Sequence, residues 1–452
     1  MNDTICAIST ARGIGAIAVI RVSGDDAISI VDSVFSAHRT GVRLSDRKTH
    51  TVTYGTISDC YGEIVDDVLV SVFRHPNSFT GEDSVEVSVH GSSYVQQEVL
   101  RLLCSKGARL AMPGEFSRRA FANGKFDLAQ AEAIADLIAS QSKMSHKLAI
   151  SQMSGRISEK LADLHNRLVE LSALLELELD FSEEDVEFAD RKTLIDTCVG
   201  LQGEISSLSD SFRLGNALKN GIPVAIVGNT NAGKSTLLNL LAEDQRAIVS
   251  DIDGTTRDAI EVPVNIDGVL FRFIDTAGLR ETSDEIERLG IEITKHHIQK
   301  ADIVINLIDA SDERTAALLN GAVSKILNVI NKIDKVGPDR ISELEKQYDN
   351  AVCISAKNDV NIDVLKARLI ALSKANEIAE SDVIITNERH YQCLRSAGEA
   401  LNRTLFGLKN GIATDLVAED LRLCNRHIGE ITGQITSDTV LHTIFSRFCI
   451  GK

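Results

Sequence analysis

The sequence predicts a multidomain protein that combines α/β and all-α domains. Residues 228–235 (Gly-Asn-Thr-Asn-Ala-Gly-Lys-Ser) fit the phosphate-binding loop pattern, between the apolar run 222–227 and a segment with helical spacing. That order indicates a P-loop domain with a parallel-rich sheet flanked by helices. Apolar residues recur at helical spacing in 128–175 and 388–428, whereas they alternate with polar residues in 84–89. We therefore predict an N-terminal α/β domain and a helical domain into which the P-loop domain is inserted.

Changes in pattern along the chain predict where these domains begin and end. The N-terminal domain is placed at 1–118 and the P-loop domain at 216–375. The helical domain is expected in two halves, at 119–215 and 376–452. The acidic run 183–187 is expected to be a solvated turn, and residues 195–214 are expected to form one helix.

Composition limits the classes of protein that remain. A hydrophobic content of 43% and a charged content of 25% are ordinary for a globular protein. Apolar runs of about 18 residues are missing from the sequence, as is a signal-peptide pattern at the start, so we expect a cytoplasmic protein without a membrane span. The eight cysteines form no C-x-x-C pair, which disfavours zinc and disulfide frameworks. The net charge of −17 disfavours broad electrostatic binding to nucleic acid, so an RNA partner needs a local basic patch.

The P-loop residues have defined chemical tasks. The glycines allow backbone N–H groups to surround a phosphate at a helix N-terminus. Lys234 is expected to neutralise β/γ-phosphate oxygens, and the Ser235 hydroxyl is expected to bind Mg²⁺.

Three further motifs, at 275–278, 331–334 and 355–357, each follow an apolar run and together predict GTP as the nucleotide. Asp275 to Gly278 offers a carboxylate to the magnesium shell and a glycine N–H to the γ-phosphate. Asp334 can accept two hydrogen bonds from the guanine edge, which adenine does not offer. Together the motifs indicate a Ras-like, translation-factor-related domain, and the predicted GTP-binding residues are Asn231, Ala232, Gly233, Lys234, Ser235, Thr236, Asp275, Thr276, Ala277, Gly278, Asn331, Lys332, Asp334, Ser355, Ala356 and Lys357.

The sequence resembles a known family along its whole length. Residues 254–258 (Gly-Thr-Thr-Arg-Asp) resemble the bacterial Era, Der and MnmE GTPases. The blocks 113–125 and 128–133 and the end 448–452 (Phe-Cys-Ile-Gly-Lys) are similar to the MnmE (TrmE) family of tRNA-modifying GTPases. The resemblance implies a folate-binding, dimerising N-terminal domain, a helical domain and an inserted GTPase domain.

The resemblance also implies how GTP is hydrolysed. Leu279 stands where Ras-type enzymes place a water-orienting glutamine, and MnmE-like proteins use a potassium ion to stabilise the developing charge. Glu287 matches the catalytic glutamate of the family, although an acidic helix start would also account for it. Arg257 and Arg280 remain alternative sources of positive charge. The implied K⁺ ligands are Asn231, Ser250, Ile252 and Thr255, the implied Mg²⁺ ligands are Ser235 and Thr256, and the implied GTP-binding loop comprises Ser250, Asp251, Ile252, Asp253, Gly254, Thr255 and Thr256.

A tetrahydrofolate derivative, 5-formyl- or methylene-tetrahydrofolate, is implied as a second ligand. The matching residues are Arg21, Glu86, Lys125 and Lys452. A carboxylate suits pterin N–H donors and cations suit the glutamate tail, but the sequence leaves open which cation does what. Without a ligand, the default expectation for the cations in or beside the N-terminal domain is a solvated surface, and these cations are Arg21, Arg118, Arg119 and Lys125.

Cys449 is implied to take part in the modification reaction. A buried structural cysteine is the plainer alternative, and prenylation fits the terminal residues poorly.

The expected function is potassium-stimulated GTP hydrolysis coupled to tRNA modification. The resemblance implies a homodimer that joins the FAD-dependent MnmG (GidA) in a heterotetramer or larger complex. The complex would place an aminomethyl or carboxymethylaminomethyl group on C5 of the wobble uridine (position 34) of certain tRNAs. A ribosome-assembly GTPase of the Era/Der class is the alternative, and a GTP-gated scaffold without folate binding is a third hypothesis.

Overall fold

The computed structural model divides into two compact units. One comprises Met1–Ala135, Met153–Asn166 and Asn425–Lys452, and the other comprises Asp136–Gln152 and Arg167–Cys424. None of the helices in the described residues has the length and hydropathy that a membrane span requires. The structure describes residues 3–11, 13–180, 191–243, 261–274, 298–312, 325–377, 382–446, 448 and 451.

The strands form one sheet in each unit. They are β1 (Ile5–Ile8), β2 (Ile17–Ser23), β3 (Phe35–Ala37), β4 (Thr51–Ser58), β5 (Ile64–Phe73), β6 (Ser84–His90), β7 (Arg109–Leu110), β8 (Ile222–Val227), β9 (Glu261–Ile266), β10 (Val269–Ile274), β11 (Ile303–Asp309), β12 (Ile326–Asn331) and β13 (Val352–Cys353).

The helices lie before, between and after the strands. They are α1 (Ala27–Asp32), α2 (Ser93–Ser105), α3 (Glu115–Ala122), α4 (Leu128–Ala139), α5 (Lys143–Met153), α6 (Arg156–Asp180), α7 (Arg191–Asp210), α8 (Phe212–Asn220), α9 (Lys234–Glu243), α10 (Pro338–Gln347), α11 (Ile362–Ser373), α12 (Glu388–Asn410), α13 (Thr414–Thr432) and α14 (Asp438–Phe445), with short 3₁₀ turns at Leu44–Asp46, Ile333–Lys335 and Ala375–Glu377.

The first unit contains a mixed sheet in the order β3-β4-β5-β6-β2-β1-β7. Its strands pair antiparallel except for β1 with β7. The alternating apolar residues of β2, β5 and β6 pack with α1 and α2 in one core, because successive strand side chains point to opposite faces. On the other face, Ile5 and Ala7 pack with Phe116 of α3 and with Phe79.

The chain end is held in the first unit. Gly114 has a φ of 66°, and a Cβ there would lie 2.3 Å from the carbonyl oxygen of Phe445. A glycine is therefore required where the turn before α3 meets the end of α14. Phe445 and Phe448 pack with Leu128 in a small apolar cluster.

The second unit contains a sheet in the order β13-β12-β11-β8-β10-β9, which is parallel apart from the β9–β10 hairpin. This is the parallel-rich sheet expected of a P-loop domain, and the multidomain α/β plus α fold class is confirmed. The loops after β8, β11, β12 and β13 lie at the carboxyl ends of the strands, where ligands bind in open α/β sheets.

Most predicted elements are present, and one differs from the prediction. The helix expected over 195–214 is divided into α7 and α8, which meet at Ser211. The Ser211 Oγ accepts a hydrogen bond from the distant Ile385 N–H at 3.0 Å, a long-range contact that helical spacing does not encode. The acidic run 183–187 lies outside the described residues.

Candidate functional site

The P-loop is packed so closely that its glycines cannot be replaced without a clash. A Cβ on Gly228 would lie 2.2 Å from the carbonyl oxygen of Leu307 in β11. Gly233 has a φ of 100°, and its Cβ would lie 2.4 Å from Nδ2 of Asn331. Close packing thus requires glycine at these two positions. Glycine also gives the backbone the freedom to point N–H groups at a phosphate.

Asn331 connects the P-loop to the loop after β13. Its Nδ2 donates to the carbonyl oxygen of Ala232 at 2.9 Å, and its Oδ1 accepts from the N–H of Ala356 at 3.0 Å. Asn331 is 2% exposed, and both bonds are buried. The sequence predicted these residues as one site, and the structure brings them together.

Lys332 makes a second connection to the P-loop. Its Nζ donates to the carbonyl oxygen of Asn231 and pairs with the Asp309 carboxylate at 2.6 Å. Asp309 belongs to no nucleotide motif, and sequence reasoning missed it. Its position after an apolar run was the one signal in the sequence, whereas its place beside Asn331 of β12 is seen only in the structure.

Asp334 carries the carboxylate predicted to recognise guanine. Its Oδ1 accepts a 2.6 Å hydrogen bond from the Ser355 hydroxyl, which holds the pKa of Asp334 below its usual range. The carboxylate is therefore ionised at neutral pH and oriented by a buried residue, since Ser355 is 0% exposed. Oxygen lone pairs remain for the two N–H donors of guanine.

Lys234 and Ser235 begin helix α9 directly after the P-loop. The Lys234 ammonium donates to the carbonyl oxygens of Gly228 at 2.9 Å and Asn229 at 3.1 Å, which keeps it at the loop. Ser235 and Thr236 are exposed in the first turn. A cation, helical N–H groups and a hydroxyl at one helix start fit a magnesium-bound triphosphate.

Several predicted site residues lie outside the described residues. From the GTP site these are Ser250, Asp251, Ile252, Asp253, Gly254, Thr255, Thr256, Asp275, Thr276, Ala277 and Gly278, together with Glu287, Cys449, Lys452 and the alternative cations Arg257 and Arg280. Among the proposed potassium ligands the structure describes Asn231, which has a φ of 65°.

The second candidate site lies on the sheet of the first unit. Arg21 of β2 and Glu86 of β6 are cross-strand partners, and both Nε and Nη2 of Arg21 bind Oε1 of Glu86 at 3.0 and 2.9 Å. The guanidinium lies 4.9 Å from the ring centre of Phe79 and 5.7 Å from that of Phe116. These two rings were not predicted as site residues. Oε2 of Glu86 is not used by Arg21, so the carboxylate can still accept a ligand N–H.

The remaining predicted folate residues are only partly described. The Lys125 Nζ donates to the carbonyl oxygen of Pro76 at 2.9 Å. The carbonyl oxygen of Gly451 accepts from the Ser9 hydroxyl at 3.1 Å, which brings the chain end to β1. Ala7 of β1 is in turn the cross-strand partner of Arg21. The residue before Lys452 thus lies near the strands that carry the Arg21–Glu86 pair.

The expectation of a solvated surface is wrong for Arg119. Its side chain is 2% exposed and pairs with Asp3 at 2.8 Å, Glu115 at 3.2 Å and Glu82 at 3.3 Å. Three carboxylates compensate the burial of one guanidinium, which is what a buried charge requires. Sequence spacing does not show this cluster, because Asp3 and Glu82 are distant along the chain.

Comparisons with known proteins show the family to which the chain belongs. Residues 4–125 match the family model described as GTP-binding protein TrmE N-terminus, and residues 128–449 match the model of the MnmE helical domain. The chain is 48% identical to the tRNA modification GTPase MnmE of Bacteroides fragilis and 49% identical to that of Bacteroides thetaiotaomicron, over 100% of each chain. The corresponding protein of Cytophaga hutchinsonii is 47% identical over 100% of this chain and 98% of its own. The chain therefore belongs to the MnmE (TrmE) family of tRNA modification GTPases.

Proposed function

We propose that this protein hydrolyses GTP and uses the hydrolysis cycle to modify tRNA. The observation that carries the proposal is the buried contact of Asn331 with the P-loop and with Ala356, beside the ionised Asp334. The residues proposed to recognise phosphate and base are thereby connected by buried hydrogen bonds. An Era/Der-type assembly function would leave the family match of residues 4–125 without an explanation.

Base recognition gives a direct test of the nucleotide. A site built to hydrogen-bond a ligand rejects ligands that lack the matching groups, and adenine lacks the donor pair that Asp334 can accept, so we expect GTP to bind far more tightly than ATP. The Asp334→Asn variant should lose affinity for GTP and gain affinity for xanthosine triphosphate, because the new amide can donate to the xanthine 2-oxygen. Asp339→Asn, at an exposed acid in the first turn of α10, is the control. Equal affinity of the wild-type protein for ATP and GTP would contradict the proposal.

Potassium is proposed to stimulate hydrolysis. The Asn231 side chain and backbone groups of residues 250–255 would hold the ion, which would supply positive charge to the phosphates. Hydrolysis should be faster in KCl than in NaCl at matched ionic strength. Asn231→Gly is the informative variant, because it removes the side chain while glycine tolerates the φ of 65°. Loss of the KCl preference with GTP binding kept is expected, and equal wild-type rates in both salts would remove potassium from the mechanism.

Glu287 is proposed to orient the attacking water. Glu287→Ala should keep GTP affinity and lose turnover, because orientation matters only in the transition state. Wild-type turnover in this variant would remove Glu287 from the mechanism.

The Arg21–Glu86 site is proposed to bind a tetrahydrofolate one-carbon donor, 5-formyl- or methylene-tetrahydrofolate. A carboxylate with one uncommitted oxygen suits pterin N–H donors, while Lys125 and Lys452 would hold the glutamate tail. Titration calorimetry with 5-formyl-tetrahydrofolate tests this site. Binding that persists unchanged in Glu86→Gln would contradict it.

The reaction proposed for the whole assembly is modification of C5 of the wobble uridine of certain tRNAs in the cytoplasm. The protein would act as a homodimer together with the FAD-dependent MnmG, and GTP would drive domain movement rather than join the chemistry. The test is mass-spectrometric nucleoside analysis of tRNA from cells with and without the gene. The modified uridine should disappear with the gene and return with the intact gene but not with Cys449→Ser. Unchanged nucleosides would favour the assembly GTPase.

A further inference from the structure

Asp309 is an acidic residue at the carboxyl end of β11 that the nucleotide motifs leave unassigned. Its Oδ2 accepts from Lys332 Nζ at 2.6 Å. Its Oδ1 accepts from the N–H of Ser311 at 3.0 Å and from the Ser311 hydroxyl at 2.6 Å. The side chains of Asp309 and Lys332 are 13% and 22% exposed. The carboxylate is therefore fixed by its own loop and offers one oriented acceptor to the lysine.

Lys332 passes this restraint to the P-loop. Its ammonium group also donates to the carbonyl oxygen of Asn231, a residue in the left-handed region with a φ of 65°. Next to it, the carbonyl oxygen of Ala232 is held by Asn331. Consecutive side chains at the end of β12 thus hold consecutive carbonyl groups of the P-loop, and an unfavourable backbone conformation is kept in place.

We propose that Asp309 is a positioning residue for the nucleotide: it anchors Lys332, which in turn fixes the backbone of Asn231 in its phosphate-binding conformation. This inference rests on the proposed GTP function. A lysine side chain is flexible and loses rotamer freedom when it bonds to a carbonyl. An ionic anchor that already holds the lysine therefore reduces the conformational entropy lost on nucleotide binding.

The charge of Asp309 is part of the restraint. Burial raises the pKa of Asp309, but the hydrogen bonds from Lys332 and Ser311 outweigh burial and hold it below its usual range. The group is ionised at neutral pH, and charge-assisted hydrogen bonds are roughly twice as strong as neutral ones. An asparagine at this position would keep the acceptor and lose the charge, so it should retain part of the effect.

The same strand provides a matched control. Asp302 directly precedes β11 and pairs with Arg213 at 2.8 Å, with side chains 24% and 73% exposed. Asp302→Asn breaks an ion pair at the end of the strand remote from the P-loop. It should leave nucleotide binding unchanged.

The experiment measures dissociation of a fluorescent GDP analogue from the full-length protein by stopped flow. Hydrogen bonds to charged groups are worth enough for Asp309→Ala to accelerate dissociation about tenfold, with Asp309→Asn intermediate. If Asp309 acts through Lys332, Asp309→Ala should add nothing in a Lys332→Ala background. A thermal unfolding scan of each variant accompanies the kinetics.

The outcomes separate this inference from the proposed function. Wild-type protein that does not bind the GDP analogue overturns both. Wild-type binding with unchanged dissociation in Asp309→Ala and Asp309→Asn overturns only the role of Asp309, even if the unfolding temperature falls. Additive effects of the Asp309 and Lys332 substitutions also overturn it. Faster dissociation that disappears in the Lys332→Ala background supports it.

Discussion

The two candidate sites of this protein hold their functional side chains in different ways. In the P-loop site, Asn331 and Lys332 bond to backbone carbonyl groups of residues 231 and 232. In the N-terminal site, Arg21 and Glu86 bond to each other across neighbouring strands. The first arrangement fixes a loop, whereas the second holds two opposite charges side by side as an ion pair.

The difference has consequences for ligand binding and for substitution. A backbone carbonyl group has no side chain that could take over its role. The P-loop therefore depends on each of the side chains that bind to its carbonyl groups. A charged pair is partly exposed, here 17% and 29%, and either member can turn from its partner to a ligand. We therefore expect large single-residue effects at the P-loop site and strong mutual dependence at the N-terminal site.

Gly233→Ala should have the largest effect. A Cβ at a φ of 100° strains the backbone and would lie 2.4 Å from Asn331 Nδ2, so it disturbs the contact that fixes the loop. Together the strain and the lost hydrogen bond should weaken GTP binding about 100-fold, measured by titration calorimetry. Gly203→Ala is the control, since no heavy atom within the described part of the chain would lie within 4 Å of its Cβ. Normal GTP affinity in Gly233→Ala would show that the loop adapts.

Asn331→Ala should come next, with GTP affinity about 30-fold weaker, because two buried hydrogen bonds are lost and their partners are left unsatisfied. Folate binding should not change. The control is Asn306→Ala in β11, a buried asparagine that bonds to the Asn328 side chain at 3.0 Å. It should lower the unfolding temperature without weakening GTP binding, and equal losses from both variants would mean that general destabilisation, not P-loop restraint, sets affinity.

The proximity of the P-loop motifs could be predicted from the sequence because the information that specifies it is local. Each motif follows an apolar run, and parallel strands bring their carboxyl ends to one edge, so residues 228–235, Asn331, Asp334 and Ser355 were expected to meet. The role of Asp309 could not be predicted in the same way. An acid after an apolar run is ordinary, and its pairing with Lys332 depends on the register of β11 against β12.

The N-terminal site was harder to predict for the same physical reason. Arg21 and Glu86 are cross-strand partners 65 residues apart, and nothing in the local pattern encodes their register. They were named only because they match a family. The rings of Phe79 and Phe116 beside Arg21, and the burial of Arg119, follow from tertiary packing that spacing does not reveal.

A double-mutant cycle at the N-terminal site tests whether Arg21 and Glu86 act as a unit. Arg21→Met and Glu86→Gln should each weaken 5-formyl-tetrahydrofolate binding about tenfold, because each leaves the remaining charged group without its partner. The double variant should be no worse than either single variant, since the pair acts as a unit. Arg395 and Glu399, an exposed pair at 3.1 Å, serve as the control and should not affect binding. Additive losses would show that Arg21 and Glu86 contact the ligand independently.

The smallest effect is expected from protonation of a single carboxyl group in the N-terminal unit. Burial raises the pKa of Glu115, but hydrogen bonds from Arg109, the Met112 N–H and Arg119 outweigh it and hold the pKa below its ordinary value of 4.5. A carboxyl group with a lowered pKa stabilises the fold above that ordinary value, and the stabilisation is lost as the pH falls through the folded value.

Glu115 begins α3, whose Phe116 lies against the Arg21 guanidinium, so protonation of Glu115 should loosen the folate site and not the P-loop site. The measurement is hydrogen exchange of α3 amides between pH 6 and about pH 3.5, below the ordinary carboxyl range, corrected for the intrinsic pH dependence. Protection of α3 should fall with pH in the wild-type protein. In Glu115→Gln it should be low throughout and nearly independent of pH. An equal fall of protection in both proteins would assign the acid response to another carboxylate of the cluster, of which Asp3, whose pKa is also lowered by Arg109, is the first to replace by asparagine.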